Sequence, residues 1–497
     1  MPLLWGGACL ALWLLLLWLL PHHIQNTTQL DPLFWLLLAS LACMIAWRSR
    51  ELANTLAATL CLLCIGFAAR LATQLQARGL TSAIAWGWLV AGALNSIFGL
   101  CQYFGWTAEP LGTAFGFLRQ RNQLATLCNI ALLALLYLWF KQGASSRSSA
   151  YKGIAAFACL LLTATLAATC SRAGLLELVI LSLALLIYAG SVRHRNRTLA
   201  NQMMLLVAWI LVSYALCAWL LPLMSGSPES ILGRIAMLSS ETTAEVTEQT
   251  QNSRRLLWSN TVSIISAHPM LGVGWRELAY TLRISNFEPS DRFAQQADHA
   301  HNLPLQLAAE LGLPFAIIWF CILAWLVLRY KSVLLKSPEQ ALASGVLTTI
   351  GVHSLLEYPL WYAPFQIAVG LATGLVFAQA TPTQSGASHR FASLSAYGFA
   401  GIGLLCFCTY AAFDYHRVRQ LFLSSGERSA LYSGDVYAHA QSSWLFAAQV
   451  RFATFLTAPI TPDNSTRMLH LGEEVMHFSP EPLVVQKLAE AKAYALE

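Results

Sequence analysis

Two histidines and an asparagine stand directly before an apolar run in the segment that reads DHAHNLPLQLAAELG. A histidine can take a proton from a hydroxyl group near neutral pH, because its ordinary pKa lies close to that range. His299 and His301 would share a face of an extended lead-in, whereas a helix would point them in different directions. Asp298 is the only metal-ligating residue close to the two histidines, and a tetrahedral metal site needs a third and a fourth ligand at short range, so we favour a general base over a metal ligand. Histidines that cap the following helix are the alternative.

Arginines beside apolar runs could bind a phosphate group, because a planar guanidinium offers two parallel hydrogen bonds. Arg172 lies in the short turn TCSRAG between two long apolar runs, and Arg254 and Arg255 lie in NSRRLLW before a helical pattern. Alternatively, Arg172 has no functional role: its side chain extends to the membrane interface, and Glu177 is its structural partner.

A second basic segment, GFLRQRNQLAT, precedes another apolar run and contains Gln120, Arg121 and Asn122. These polar groups could contribute to the same site. The alternative is that they anchor the following span in the membrane. Arginines on the non-cytoplasmic side run against the positive-inside rule, which favours a functional role.

The segment VHSLLEYPLWYAPF places His353 and Glu357 four residues apart. On a helix this spacing puts both side chains on one face. An ionisable pair inside a membrane is either a proton-relay element or a buried polar couple, and we favour the functional role.

The composition of the chain indicates that these residues belong to a membrane protein. The 497 residues are 57% hydrophobic and 11% charged, whereas a soluble chain carries about 25% charged residues. The net charge of +6 is too small and too dispersed for a nucleic-acid partner, and the 12 cysteines show no metal spacing. We therefore predict an all-α polytopic membrane helix bundle among membrane lipids, with about twelve transmembrane helices. The candidate spans are 3–20, 33–47, 53–69, 82–104, 122–140, 153–170, 173–190, 203–221, 303–328, 341–356, 363–380 and 394–412.

Basic loops between the later spans fit a single cytoplasmic face. The opposite face then holds every polar cluster described above, the large loop 222–302 and the tail from 413. The first three spans do not fit one orientation, because arginines flank the third span on both sides. Within the large loop, HPMLGVGW predicts a turn that packs closely against another backbone, since Gly272 and Gly274 tolerate positive φ.

The tail 413–497 carries most of the late charge and predicts a few amphipathic helices packed together. We expect it to form a small helical unit on the periplasmic side. Ser479 and Pro480 predict a helix start there, with proline at the first helical position.

In this order, the SRAG turn, RRLLW…HPMLGVGW and HNLPLQLAAELG resemble the membrane superfamily of O-antigen ligases and O-antigen polymerases. RQRNQLAT and VHSLLEYPLWY resemble its narrower branch, the PglL-type general O-oligosaccharyltransferases. The resemblance covers about residues 92–378, within a transmembrane domain of 1–412. His301, Asn302 and Gly312 match the ligase pattern, and Phe315 departs from its last small or polar position.

The resemblance implies a GT-C-like fold and a metal-independent, inverting glycosyltransferase of the bacterial inner membrane, without a cofactor. Such an enzyme takes a glycan from undecaprenyl diphosphate on the periplasmic face and transfers it to Ser or Thr of a periplasmic protein such as pilin. His301 would be the base, and Arg172 and Arg254 would hold the diphosphate. The predicted substrate-binding residues are Gln120, Arg121, Asn122, Arg255, His299, Asn302, His353 and Glu357.

Two other functions remain open at this point. One is an O-antigen ligase or polymerase, whose acceptor is lipid A–core or another glycan. The other is a transporter that moves the lipid-linked glycan without breaking a bond. Transporters of this size often carry internal repeats, and the sequence shows no such symmetry.

Overall fold

The computed structural model describes residues 32–107, 112–143, 147–225, 231, 244–285, 287, 297–331, 333–378, 407, 409–432 and 435–496, without the side chains of 244–253 and 496. The predicted first span lies outside these residues, as do most of the predicted span 394–412 and parts of the loop 222–302. The orientation of the first three predicted spans stays a prediction.

Helices form the regular structure of the described residues, which confirms the all-α class. The extended pairing found among these residues is an isolated parallel bridge between Ser49 and Trp275. In chain order, the helices up to residue 377 are α1 (Pro32–Arg48), α2 (Leu52–Ala77), α3 (Thr81–Tyr103), α4 (Arg121–Lys141), α5 (Ser149–Ala168), α6 (Arg172–Val192), α7 (Arg197–Ser225), α8 (Ala244–Ala267), α9 (Leu278–Ile284), α10 (Leu303–Leu311), α11 (Leu313–Tyr330), α12 (Pro338–Ser354) and α13 (Ala363–Phe377).

Seven of the described helices, α2 to α7 and α11, are long and apolar enough to cross a membrane. The apolar helices α1 and α13 are shorter. Each of these helices falls on a predicted span, although α2 and α7 extend beyond the predicted ends. Backbone hydrogen bonding continues through polar residues, so a helix can outlast its apolar stretch. The chain is a multi-pass membrane protein.

One predicted span, 303–328, is two helices that meet at Gly312. Gly312 has a φ of +94°, and a Cβ there would lie 2.3 Å from the carbonyl oxygen of Met270. Gly272 has a φ of +64°, and its Cβ would lie 2.5 Å from the carbonyl oxygen of Ala309, which accepts a hydrogen bond from Val273. The predicted close packing of the HPMLGVGW turn is therefore confirmed, and the same contact interrupts the helix.

The helix α4 lies at the centre of the bundle. Over its most apolar 18 residues it is 78% buried, compared with 11% for α11. It packs against α3, α5, α6 and α12. Small residues permit the close approach: a Cβ on Gly92 would lie 2.4 Å from that of Ala131, and a Cβ on Gly174 would lie 2.4 Å from that of Ala125.

A second apolar core joins α1 to the segment that carries the predicted histidines. Ile45 of α1, Leu257 of α8, Leu278 of α9 and Leu307 and Leu311 of α10 are all buried in one cluster. This cluster fixes α8 and α10 against each other, and with them the loop between residues 297 and 302.

The tail contains α14 (Val436–Gln441), α15 (Ala447–Thr457), α16 (Ser465–Phe478) and α17 (Pro482–Leu496). The predicted helical tail is confirmed for the described residues. The predicted start at Pro480 is wrong by two residues, because Pro482 occupies the first position of α17. Buried Val484 and Ala491 of α17 pack in one cluster with Phe455 of α15.

Ionic contacts attach the tail to the rest of the protein. The carboxylate of Glu277 accepts from Arg50 at 3.1 Å and from Nδ1 of His477 at 2.6 Å. Arg451 pairs with Glu51 at the start of α2. The tail therefore supports the segment just after the glycine turn, which in turn packs on α10.

We predict that Gly312→Ala destabilises the protein by more than about 1 kcal/mol, since its Cβ meets backbone atoms at a positive φ. The matched control is Gly190→Ala in α6, where a Cβ meets nothing within 4 Å. Melting temperatures of both purified variants in one detergent check this expectation. Equal melting temperatures would contradict the packing described at α10.

Candidate active site

The carboxylate of Glu357 is the centre of a polar cluster at one end of the bundle. Its Oε1 accepts from Nδ2 of Asn122 at 2.9 Å and from the guanidinium of Arg254. Its Oε2 lies 2.5 Å from Nδ1 of His301. The Glu357 side chain is only 5% exposed. Side chains from α4, α8 and the loop before α10 thus converge on a residue in the turn after α12.

The loop that carries His301 is fixed at several points. Asn302 caps α10 by accepting from the backbone of Leu305 at 3.0 Å, and it donates to the carbonyl of Leu355 at 3.0 Å. The carbonyl of Ala300 accepts from Nε1 of Trp258 at 2.9 Å. His301 itself has a φ of +51°, which is uncommon for a residue with a side chain. In this conformation the imidazole ring of His301 faces Glu357.

The contact with Glu357 determines the tautomer of a neutral His301. An ionised carboxylate only accepts hydrogen bonds, so Nδ1 of His301 carries the proton. The other ring nitrogen, Nε2, is then the one that can take a proton from a substrate. The side chain of His301 is 28% exposed, so solvent and substrates can reach it.

Glu357 is held in its charged form. Burial alone would raise the pKa of Glu357, but the hydrogen bond from His301 and the charge of Arg254 hold it below its ordinary value. Glu357 can therefore orient His301 throughout the neutral pH range.

His299 has a different environment from His301. Its ring stacks on Tyr358 with centroids 4.5 Å apart and meets Trp361 edge-on at 5.0 Å. Burial, together with the charges of Arg276 and His301, lowers the pKa of His299 to about 4. His299 is therefore neutral at neutral pH. Its aromatic contacts indicate that it lines the site.

The start of α4 and the start of α6 meet beside this cluster. Gln120 caps α4 by accepting from the backbone of Gln123 at 2.8 Å, and Arg121 is the first residue of that helix. Asn122 accepts from the hydroxyl of Ser171 at 2.7 Å, and Ser171 caps α6. Arg172, the first residue of α6, is exposed. The predicted arginine therefore lies one residue from a partner of Asn122.

Arg254 and Arg255 lie within α8 rather than before a helix. Arg254 contacts Glu357, whereas Arg255 is exposed and lines a groove of about 550 Å³ on α8. Trp258 and Leu305 line the same groove, so it begins beside the loop that holds His301. The two neighbouring arginines thus face different surroundings.

His353 and Glu357 do not share one helical face, because α12 ends at Ser354. The side chain of His353 is fully buried, and its Nδ1 lies 2.6 Å from the hydroxyl of Thr126. Glu177, the structural partner considered for Arg172 in the alternative interpretation, lies 2.8 Å from the hydroxyl of Thr126 and accepts from Asn129 of α4.

Sequence reasoning missed Thr126, Asn129 and Ser171. A signal was present, because Asn122, Thr126 and Asn129 are four and three residues apart and so lie on one face of α4. Their apolar neighbours hid this polar stripe within a predicted span.

Three family models match this chain. The O-antigen ligase model matches residues 157–320, and the protein glycosylation ligase model matches residues 114–139. A third model, described as the C-terminal part of a virulence factor membrane-bound polymerase, matches residues 341–495. Over these segments the chain is similar to the O-antigen ligase superfamily and to its protein glycosylation ligases. The resemblance given by the sequence motifs is thereby confirmed.

Two curated proteins of Acinetobacter baylyi are similar to this chain. A general O-oligosaccharyltransferase is 26% identical over 252 residues, which are 50% of this chain and 43% of that protein. A ComP-specific O-oligosaccharyltransferase is 25% identical over 305 residues, 60% of this chain and 51% of that protein. The chain therefore spans about half the length of the curated relatives it matches.

We predict that Glu357→Gln lowers the free energy of unfolding by about 1–3 kcal/mol at pH 7, because Arg254 and His301 lose an ionised partner. The pKa of Glu357 is depressed in the folded state, so its contribution is complete above the ordinary value of 4.5. It is lost as the pH falls through the lower folded value. Melting temperatures of both proteins between pH 8 and pH 4 measure the difference.

Glu339→Gln is the control for this series, since Glu339 pairs with half-exposed Lys141 at 2.9 Å at the opposite end of α4. An exposed pair contributes only about 0–1 kcal/mol. A Glu357→Gln effect no larger than that of Glu339→Gln would show that Glu357 is not the centre of the cluster.

Proposed function

We propose that this protein is an inner-membrane O-oligosaccharyltransferase. It transfers a glycan from undecaprenyl diphosphate to a Ser or Thr hydroxyl of a periplasmic protein such as a pilin. The observation that carries the proposal is the Glu357–His301 pair, which leaves one ring nitrogen as a base next to Arg254. The protein glycosylation ligase match at residues 114–139 supports a protein acceptor.

In the proposed reaction, the acceptor oxygen attacks the anomeric carbon of the lipid-linked glycan. Nε2 of His301 takes the hydroxyl proton while the new glycosidic bond forms. The bond between the sugar and the diphosphate breaks, and undecaprenyl diphosphate leaves with the electron pair. A direct displacement of this kind inverts the anomeric centre. Glu357 holds the imidazole in place and stabilises the imidazolium that results.

Positive charge near the leaving diphosphate favours its departure, because fixed donors stabilise the developing negative charge. Arg254 has guanidinium N–H groups beyond those on Glu357, since arginine carries five. The starts of α4 and α6 also meet beside the cluster, with Arg121 and Arg172 at their first positions. Helix starts carry partial positive charge and favour bound phosphate. We therefore assign the diphosphate to this region.

The proposed periplasmic location of the site follows from the basic residues at the opposite end of the bundle. The opposite ends of α4 and α12 carry Lys141 and Glu339, and Lys141 is followed by a loop with further basic residues. Basic loops favour the cytoplasm, which supports a periplasmic location for Glu357 and its partners.

A second candidate function is O-antigen polymerisation, in which the acceptor is another glycan. The match of residues 341–495 to the virulence factor polymerase model favours it. The proposed chemistry would be the same, because a sugar hydroxyl would replace that of Ser or Thr. Presenting both acceptors to one enzyme preparation distinguishes the two functions, and a transporter would leave both unmodified.

We expect His301→Ala to lower the rate of glycan transfer about 100- to 10,000-fold, because a positioned base contributes about that factor. The measurement uses purified protein, lipid-linked glycan and a pilin acceptor, with the product detected by mass spectrometry. An unchanged rate in His301→Ala would exclude this residue as the base.

The pH profile separates the two histidines of this loop. Transfer should decline wherever a falling pH protonates the base, since a charged imidazole cannot take another proton. The pKa of His299 is already lowered to about 4, so His299→Gln should leave the midpoint of the profile in place. A shifted midpoint in His299→Gln would instead assign the titration to His299.

We expect Arg172→Ala and Arg254→Ala to raise KM for the lipid-linked donor about tenfold or more, since each loses a charged hydrogen bond to phosphate. KM for the acceptor protein should change little. Arg193→Ala, in the polar turn at the far end of α6, is the matched control. Variants with wild-type donor KM and rate would remove both arginines from the diphosphate site.

A further inference from the structure

Four polar side chains form a buried cluster in the interior of the bundle, which the proposed chemistry does not use. Thr126 and Asn129 belong to α4, Glu177 to α6 and His353 to α12, and each is at most 1% exposed. Polar and ionisable groups inside a membrane protein are costly, so their presence requires a compensating role.

Thr126 is the link within this cluster. Its hydroxyl lies 2.8 Å from Oε1 of Glu177 and 2.6 Å from Nδ1 of His353. Nδ2 of Asn129 donates to Oε2 of Glu177 at 3.0 Å and to the carbonyl of Gly174 at 3.0 Å. Three helices are therefore joined through one hydroxyl group, and α4 contacts α6 at a second point.

The number of protons available for these hydrogen bonds shows why the cluster needs the hydroxyl of Thr126. Two contacts, from Thr126 to Glu177 and from Thr126 to His353, need two protons, and the hydroxyl supplies at most one, since it can also donate to the carbonyl of Asn122 at 3.1 Å. The remaining protons come from Nδ1–H of His353, from a protonated Glu177, or from both. In every arrangement Thr126 accepts from at least one of these two neighbours. A side chain without a hydroxyl would leave both neighbours without this partner.

The cluster lies next to the candidate active site along all three helices. On α4, Asn122 precedes Thr126 by one turn and contacts Glu357 and Ser171. On α6, Arg172 stands five residues before Glu177, and beyond α12, Glu357 stands four residues after His353. A rotation or shift of α6 or α12 at the cluster would therefore move Arg172 or Glu357 directly.

We propose that Thr126, Glu177 and His353 are positioning residues that hold α4, α6 and α12 in the register required to bind the diphosphate of the lipid-linked donor. The proposal rests on the function proposed above. It replaces the predicted contact of His353 with substrate, because a fully buried side chain acts here through the helices that carry Arg172 and Glu357.

The test compares Thr126→Val, which removes the hydroxyl at nearly constant shape, with Thr126→Ser, which keeps it. We expect Thr126→Val to raise KM for the lipid-linked donor about 10- to 100-fold, the effect of misplacing a binding group by about 1 Å. Thr126→Ser should restore the wild-type donor KM, and KM for the acceptor should stay constant in both variants.

Thr163→Val is the matched control. Thr163 is a fully buried threonine of α5 whose hydroxyl donates within its own helix, to Cys159 at 2.9 Å. It should keep the wild-type donor KM. A Thr126→Val protein that melts at a lower temperature but keeps the wild-type donor KM would overturn the proposal, since the cluster would then serve packing alone.

Direct binding of undecaprenyl diphosphate, without sugar, separates this proposal from the proposed transfer reaction. Weaker binding by Thr126→Val than by Thr126→Ser supports the positioning role even if the wild-type protein transfers no glycan to any acceptor. Equal binding, or no binding by the wild-type protein, overturns it. If Thr126→Val does not fold, Glu177→Gln takes its place, with the same expected loss and the same contradicting outcome.

Discussion

The buried carboxylate of Glu357 constrains the rest of the site. An ionised group that is only 5% exposed destabilises a fold unless donors surround it. Its donors are Asn122, Arg254 and His301, which lie more than fifty residues from it in the sequence and on three separate elements. The helices α4, α8 and α10 must therefore approach the turn after α12 before this charge is compensated.

Small residues make that approach possible. Gly174 brings the start of α6 against Ala125 of α4, so Ser171, the residue before Arg172, contacts Asn122. Gly272 and Gly312 bring the turn after α8 against the end of α10. In each case a side chain would occupy the space of a neighbouring atom. The positions of the charged residues thus depend on residues that have no chemistry of their own.

The three family models that match this chain meet at the same carboxylate. Asn122 lies in the protein glycosylation ligase match, Arg254 and His301 lie in the O-antigen ligase match, and Glu357 lies in the polymerase C-terminal match. Each match covers one segment of the chain, and each segment contributes a different group to one cluster. The candidate site therefore needs all three segments folded together.

The sequence by itself determined most of the helices and predicted several residues of the candidate site. Apolar stretches are properties of neighbouring residues, so the spans could be located without a structure. His301, Arg172 and Arg254 were selected by their places in the motifs that resemble the ligase family. Tertiary structure decided that Glu357 pairs with His301 and that His353 faces Thr126 instead. It also decided the break at Gly312. These features depend on how helices rotate and cross, and hydropathy along one helix does not specify its rotation against another.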